Sequence, residues 1–222
     1  MGEDFQRHAA DSAYNAHYDR PAVLAALGVV SGLHVLDACC GPGLYAKELL
    51  SQGAEVTAFD ASPAMVALAR TQVAGRARVD RAVLGELLPY PGGAFDRIVC
   101  ALAIHYADDR NAAFAEFFRV LRPGGALVVS TQHPVMDWLR KGGSYFQVTL
   151  ETDVWHTSDG DQPVRFWREP LSALCCDATN AGFVIETLAE PRPADTMRER
   201  YPDDYAKLNS EPGFLVLRLV KS

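Results

Sequence analysis

Two acidic residues bracket a glycine turn in a way that suits ligand chemistry. Asp37 closes the apolar run His34-Val35-Leu36-Asp37, and the chain then turns through Gly41-Pro42-Gly43. Glycine at 41 and 43 permits backbone angles closed to other residues and lets a ligand come against the main chain. Taken alone, the Gly41-x-Gly43-x-x-Ala46 pattern also fits a dinucleotide loop that cradles a pyrophosphate. Asp37 argues against a pyrophosphate: two like unit charges ~5 Å apart cost ~3 kcal/mol at an effective dielectric near 20. A ligand bearing an ammonium and a sulfonium is attracted instead. The other reading of Asp37 is a strand-end carboxylate that caps a neighbouring loop. Asp60 follows about 20 residues after the glycines, where an acidic side chain at a strand end accepts hydrogen bonds from ribose hydroxyls. Together these residues describe a ligand with an adenosine-like end and a cationic end that carries no phosphate.

Further residues are candidates for the reacting partner of such a ligand. His105 follows an apolar strand whose C-terminal end faces the crevice, which suits taking a proton from an acceptor or orienting it. A histidine that only hydrogen-bonds nearby backbone is the other reading. His133, just past the fifth strand, has the same two readings. Tyr14 and Tyr18 share one helical face, either lining a pocket or packing the core. Residues 131–168 hold Trp138, Trp155 and Trp167, which either fill a satellite core or, with Trp138 as a contact, roof an apolar acceptor pocket. Cys39 and Cys40 read as small packing residues, and His8, His34 and His156 as surface or packing residues. Asp108, Asp109 and Asn111 are the one weak Mg²⁺ alternative, and no metal site is expected.

The elements that must position these residues alternate from Leu33 onward. The strand ending at Asp37 leads through the glycines into a helix over Leu44 to Gln52, stopped by Gly53. Glu55 to Phe59 alternates as a strand, and Ser62-Pro63 opens a helix over Ala64 to Thr71. A weaker strand near Arg78 to Val83, a buried strand Phe95 to Leu102, a helix Ala112 to Leu121 and a strand Ala126 to Ser130 follow. This order predicts an α/β parallel sheet covered on both faces. The pattern then changes to an inserted antiparallel hairpin, with period-two stretches at Val148 to Val154 and Val164 to Trp167 around Ser158-Asp159-Gly160-Asp161. Pro170 opens a helix ending at Gly182, and Phe183 to Leu188 and Phe214 to Val220 make closing strands. Asp4 to Leu27 is a helical preface.

S-adenosylmethionine has both ends that the acidic residues ask for. Val35-Leu36-Asp37-Ala38-Cys39-Cys40-Gly41-Pro42-Gly43 resembles the first motif of class I S-adenosylmethionine-dependent methyltransferases, and Thr57-Ala58-Phe59-Asp60-Ala61-Ser62 the second. Leu88-Pro89-Tyr90-Pro91, Phe95-Asp96, Ala101-Leu102-Ala103-Ile104-His105-Tyr106 and Val120-Leu121-Arg122-Pro123-Gly124-Gly125 resemble, in order, later segments of the type 11 branch. The resemblance implies a Rossmann-like three-layer sandwich with a seven-stranded, mostly parallel sheet and an antiparallel last strand. It implies S-adenosylmethionine as cofactor, held by Asp37, Cys39 and the Gly41 to Gly43 turn, by Asp60 with Ala61, and by backbone at Ala101. Met65 is expected beside the adenine. Where many relatives carry an acidic residue for the adenine amino group this chain has Leu84, so Gly85, Glu86 and Leu87 are expected to substitute.

The totals fit this reading. A chain of 222 residues suits one domain: a helical cap over 1–30, a cofactor-binding core over 33–130, an aromatic substrate cap over 131–168 and closing elements over 169–222. Its 49% hydrophobic and 22% charged residues are near globular averages, and no apolar run reaches the ~18 residues of a spanning helix. The opening residues lack a signal-peptide pattern, which points to the cytoplasm. A net charge of −7 repels a phosphate backbone, so a small-molecule acceptor is expected rather than nucleic acid or membrane, with the protein a monomer or homodimer. Methyltransferases of exocyclic base amines or protein glutamine resemble one another in a proline-rich motif where this chain reads Cys100-Ala101-Leu102-Ala103. A nicotinamide-dependent oxidoreductase and a non-catalytic binding module are the rival classes.

Overall fold

The computed structural model describes residues 11–157 and 160–222, with the side chains of 155–157 left aside. The start of the preface, His8, the side chains of Trp155 and His156, and the hairpin tip Ser158-Asp159 lie outside the described residues. A π-helical turn Asn15–Asp19 runs into α1 (Arg20–Leu27). The alternating core is β1 (His34–Ala38), α2 (Leu44–Ser51), β2 (Glu55–Asp60), α3 (Pro63–Val73), β3 (Arg78–Arg81), β4 (Phe95–Ala101), α4 (Arg110–Val120) and β5 (Leu121–Gln132). Then come α5 (Pro134–Lys141), the hairpin β6 (Thr149–Thr157) and β7 (Gly160–Arg168), α6 (Leu171–Asn180), β8 (Val184–Ala189), α7 (Asp195–Arg200), α8 (Pro202–Ser210) and β9 (Phe214–Val220).

The seven strands lie in the order β3-β2-β1-β4-β5-β9-β8. The first five run parallel, and β9 is antiparallel to both β5 and β8. Chain order reverses between β1 and β4, which opens a crevice at their C-terminal ends. Because side chains alternate along a strand, neighbouring residues feed opposite cores. Val35, Val99 and Val128 pack with Val23, Leu27, Leu49 and Ala69 from α1, α2 and α3. Leu36, Ile98 and Leu127 pack on the other face with Phe114, Phe117 and Leu174 from α4 and α6.

Three features differ from the sequence reading. The strand β5 begins at Leu121 rather than Ala126: Leu121 pairs with Phe95, the register shifts, and pairing resumes at Ala126 with Arg97. The Pro123-Gly124-Gly125 segment is therefore a bulge within the strand, not a separator before it. Helix α5 lies inside the segment read as hairpin, and α7 and α8 occupy a stretch without a predicted element.

Candidate functional site

The crevice holds a cavity of about 560 Å³ between the ends of β1 and β4. Asp37, Cys39, Gly41, Asp60, Met65 and Ala101 line it, together with Tyr14 and His105. Asp37 is 2% exposed, and its Oδ2 accepts the N–H of Ala46 at 2.9 Å. Burial pushes its carboxyl up to about 7; the Ala46 N–H pulls the other way, and the Asp60 charge adds to the rise. The carboxylate of Asp60 works on two backbone groups: Oδ2 accepts from Gly41 N and Oδ1 from Ser62 N, each at 2.9 Å. It thereby ties the glycine turn of one strand to the N-cap of α3 on the next.

The two glycines do different things. Gly41 lines the cavity, whereas Gly43, at φ 84°, starts α2 against α3. A Cβ on Gly43 would stand 3.0 Å from the Cα of Ala69, so the second glycine is demanded by helix packing. Burial raises the thiols of Cys39 and Cys40 well above the ordinary cysteine range, which keeps them protonated and unsuited to nucleophilic attack.

Several expected contacts stand elsewhere. Gly85, Glu86, Leu87 and Ala61 do not line the cavity; Leu87 is 80% exposed, while Leu84 packs toward the α4 core. The side chain of Tyr18 is fully buried, stacked on Phe214, and its hydroxyl accepts the N–H groups of Gly213 and Phe214. It is a core residue, separated from the pocket role expected for it with Tyr14. Trp138 donates to Gly143 O at 2.9 Å and meets Tyr145 edge-on, outside the cavity. The hairpin reaches the wall through Gln162, Pro163 and Val164 of β7 instead.

The histidines part company as well. Leu102, with φ 50°, bends the chain after β4 and donates its N–H to Ser130 O, turning the following 3₁₀ segment Ile104–Tyr106 back toward β5. His105 there is 5% exposed, with Nδ1 at 2.9 Å from Thr131 Oγ1 and Nε2 buried without a hydrogen-bond partner among the described residues. Burial pulls its pKa down to about 4, so the ring is neutral at pH 7. His133 instead caps α5: its Nδ1 accepts the N–H of Val135, and its Nε2 meets Glu190 Oε1 at 2.9 Å. Both ring nitrogens are occupied, and the residue lines a neighbouring cavity of about 650 Å³ rather than the crevice. His133 is thus held by the α5 backbone and Glu190, outside the lining of the crevice.

Sequence reasoning missed Asp19, Tyr45, Gln132 and Phe214, which also line the cavity. Asp19 is 2% exposed and accepts the Tyr45 hydroxyl at 2.6 Å. Burial pushes it up to about 6, opposed by the Tyr45 and Ser130 hydroxyls and Arg20. Among the described residues no group of three or more His, Cys, Asp or Glu is placed to hold a metal ion, Asp108 and Asp109 included. No helix among them is long and apolar enough to cross a membrane.

Residues 36–129 match the family described as a methyltransferase domain of type 11. The malonyl-acyl-carrier-protein O-methyltransferase of Serratia marcescens is 33% identical over 173 residues, 75% of this chain and 62% of that protein. The demethylmenaquinone methyltransferase of Tropheryma whipplei is 33% identical over 121 residues, 54% of this chain and 50% of that protein. The chain thus spans half to three-fifths of these relatives' lengths. An S-adenosylmethionine dependent methyltransferase from Mesorhizobium loti superposes with a TM-score of 0.72 at 24% identity, over 95% of this chain and 99% of that one, which is a likeness of fold. The strand order and the crevice at β1 and β4 are those of a class I methyltransferase fold. Through residues 36–129 the chain is similar to the type 11 branch of that fold.

Proposed function

We propose that this chain is an S-adenosylmethionine-dependent methyltransferase that acts on a small-molecule acceptor by direct in-line displacement. The observation that carries the reading is one cavity with a buried carboxylate, Asp37, on one side and a buried neutral imidazole, His105, on the other. The residues fit the donor. A carboxylate that pays for burial with a raised pKa is relieved by a cation, and a pyrophosphate would deepen the cost. Each Asp60 oxygen already accepts one N–H and retains a lone pair for a ribose hydroxyl. Met65 offers an apolar, polarizable surface for an adenine ring.

When bound, the donor supplies a methyl group on a positively charged sulfur. On transfer the positive charge would pass from sulfur to the acceptor and be shed from it as a proton to water, so the chain has no strong anion to stabilise. Its work is alignment, which supplies on the order of 7–11 kcal/mol at best when reacting atoms are held in line. His105 is held by Thr131 through Nδ1 and lines the cavity, which leaves Nε2 as the ring nitrogen for an acceptor. With its basicity lowered by burial, it orients an acceptor hydroxyl or amine rather than carrying off a proton at neutral pH. Gln132 and the β7 residues shape the acceptor side.

The test is incubation with methyl-labelled donor and a metabolite extract, read by mass spectrometry for labelled products and S-adenosylhomocysteine. Labelled small molecules are expected, and His105→Asn is expected to lower their formation about tenfold or more with donor affinity held within about twofold. Binding of S-adenosylhomocysteine without any methyl gain would make the chain a binding module. A thermal shift with NAD and none with S-adenosylhomocysteine would make it a dinucleotide enzyme.

A further inference from the structure

Asp19 ends the π-helical turn of the N-terminal segment and lines the main cavity at 2% exposure. Its Oδ2 accepts the Tyr45 hydroxyl at 2.6 Å, while its Oδ1 is buried and has no well-formed hydrogen bond among the described residues, with the Ser130 hydroxyl and the Arg20 charge nearby. A carboxylate removed from water with one oxygen unsatisfied is costly unless something positive completes it.

Its surroundings say which end of the cavity it serves. Tyr45 and Ala46 are consecutive at the start of α2: Tyr45 donates to Asp19, and Ala46 donates to Asp37 at 2.9 Å. Two buried carboxylates therefore grip one helical turn, one from the N-terminal segment and one from β1. Strand alternation gives the same answer. Asp37 shares a face with Val35, and Ser130, whose hydroxyl supports the Asp19 charge, shares that face with Val128. Thr131, which holds His105, projects to the opposite face with Val129. Asp19 thus stands with Asp37 and apart from the acceptor-side histidine.

We propose that Asp19 is a second carboxylate of the donor site, taking the ammonium of the donor's amino-acid end, so that the N-terminal segment is a working part of that site. The inference rests on the donor reading above. A donor with two positive charges, ammonium and sulfonium, meets two buried carboxylates, and Asp19 completes its second oxygen on the ammonium. The hydroxyl of Tyr45 acts through Asp19 by fixing the carboxylate's orientation.

Calorimetric titration of the whole chain with two ligands tests this. S-adenosylhomocysteine carries the ammonium; methylthioadenosine has the same nucleoside thioether and lacks the amino-acid end. Asp19→Asn keeps the side-chain size and an acceptor for Tyr45 while removing a buried charge, so a melting temperature at or above wild type is expected. The variant should bind S-adenosylhomocysteine about tenfold or more weakly and methylthioadenosine within about twofold of wild type. Asp19→Ser, a second way of removing the charge, should show the same split. Unchanged S-adenosylhomocysteine affinity, or an equal loss for both ligands, would overturn the proposal. So would a variant that loses turnover with S-adenosylhomocysteine affinity intact, because Asp19 would then serve the acceptor. A wild-type chain that binds neither ligand would instead remove the donor reading itself.

Discussion

Donor affinity should depend on pH through Asp37, with a slope that the structure sets. In the ligand-free protein burial holds this carboxyl up to about 7, against ~3.9 for an exposed aspartate. A raised folded value means that Asp37 favours the folded state most at acid pH, and that this advantage is lost as pH rises through about 7. A cationic donor needs the ionised form. If the bound carboxylate stays ionised down to about pH 5, affinity climbs roughly fiftyfold between about pH 5 and about pH 7. That is ~2.3 kcal/mol at 1.36 kcal/mol per unit, and the curve then levels off. Asp19, pushed up to about 6, steepens the lower part of the same curve. Asp37→Asn should flatten the upper part and weaken binding at about pH 8 by ~2 kcal/mol, roughly thirtyfold, the size of a lost charge-assisted hydrogen bond. The same substitution should stabilise the ligand-free chain at about pH 8 by up to ~4 kcal/mol, because the buried charge is gone. Calorimetry with S-adenosylmethionine, which carries the sulfonium, across pH and in buffers of different ionisation enthalpy, counts the protons released. Affinity that ignores pH with no proton release, or an Asn variant that binds like wild type, refutes the argument.

Other residues give sharper local tests. Gly43→Ala sets a Cβ 3.0 Å from the Ala69 Cα at a left-handed φ, and should cost ~2 kcal/mol in urea unfolding; a loss below ~0.5 would mean that α2 and α3 separate freely. Tyr18→Phe leaves the N–H groups of Gly213 and Phe214 without their acceptor, so a loss of ~1–3 kcal/mol is expected with turnover per folded molecule unchanged. His133→Ala removes the cap of α5 and should lower stability by ~1 kcal/mol; a large fall in turnover with intact donor affinity would return His133 to the reacting group.

That Asp37, Gly41 and Asp60 share one cavity was legible because the signals are local. Asp37, the glycine turn and Ala46 lie within ten residues, and a strand, a tight turn and a helix leave little freedom in where they sit. Asp60 was legible for the same reason at the end of the next strand. The closing elements were read less evenly: β8 and β9 show as apolar runs, whereas α7 and α8 are short, and the Pro202 that starts α8 was not enough to reveal it. Helix α5 carries a Pro at its first position too, yet the aromatic pattern around it reads as strand.

Tyr14 and Tyr18 share a helical face by spacing, and only the arrival of Phe214 from the far end of the chain puts one in the cavity and seals the other in the core. His105 and His133 look alike in their local sequence; Thr131 leaves one ring nitrogen of the first unclaimed, and Glu190 with the α5 backbone claims both of the second. Asp19 lies in the stretch Tyr14 to Pro21 that resembles this branch, but nothing in its local sequence marks it as buried. Its burial comes from α2 and β5 closing over a segment more than 20 residues away in sequence. Backbone geometry and side-chain period act over a few residues and can be read along the chain, while desolvation and hydrogen-bond completion depend on which distant surfaces meet, and those are known once the sheet is assembled.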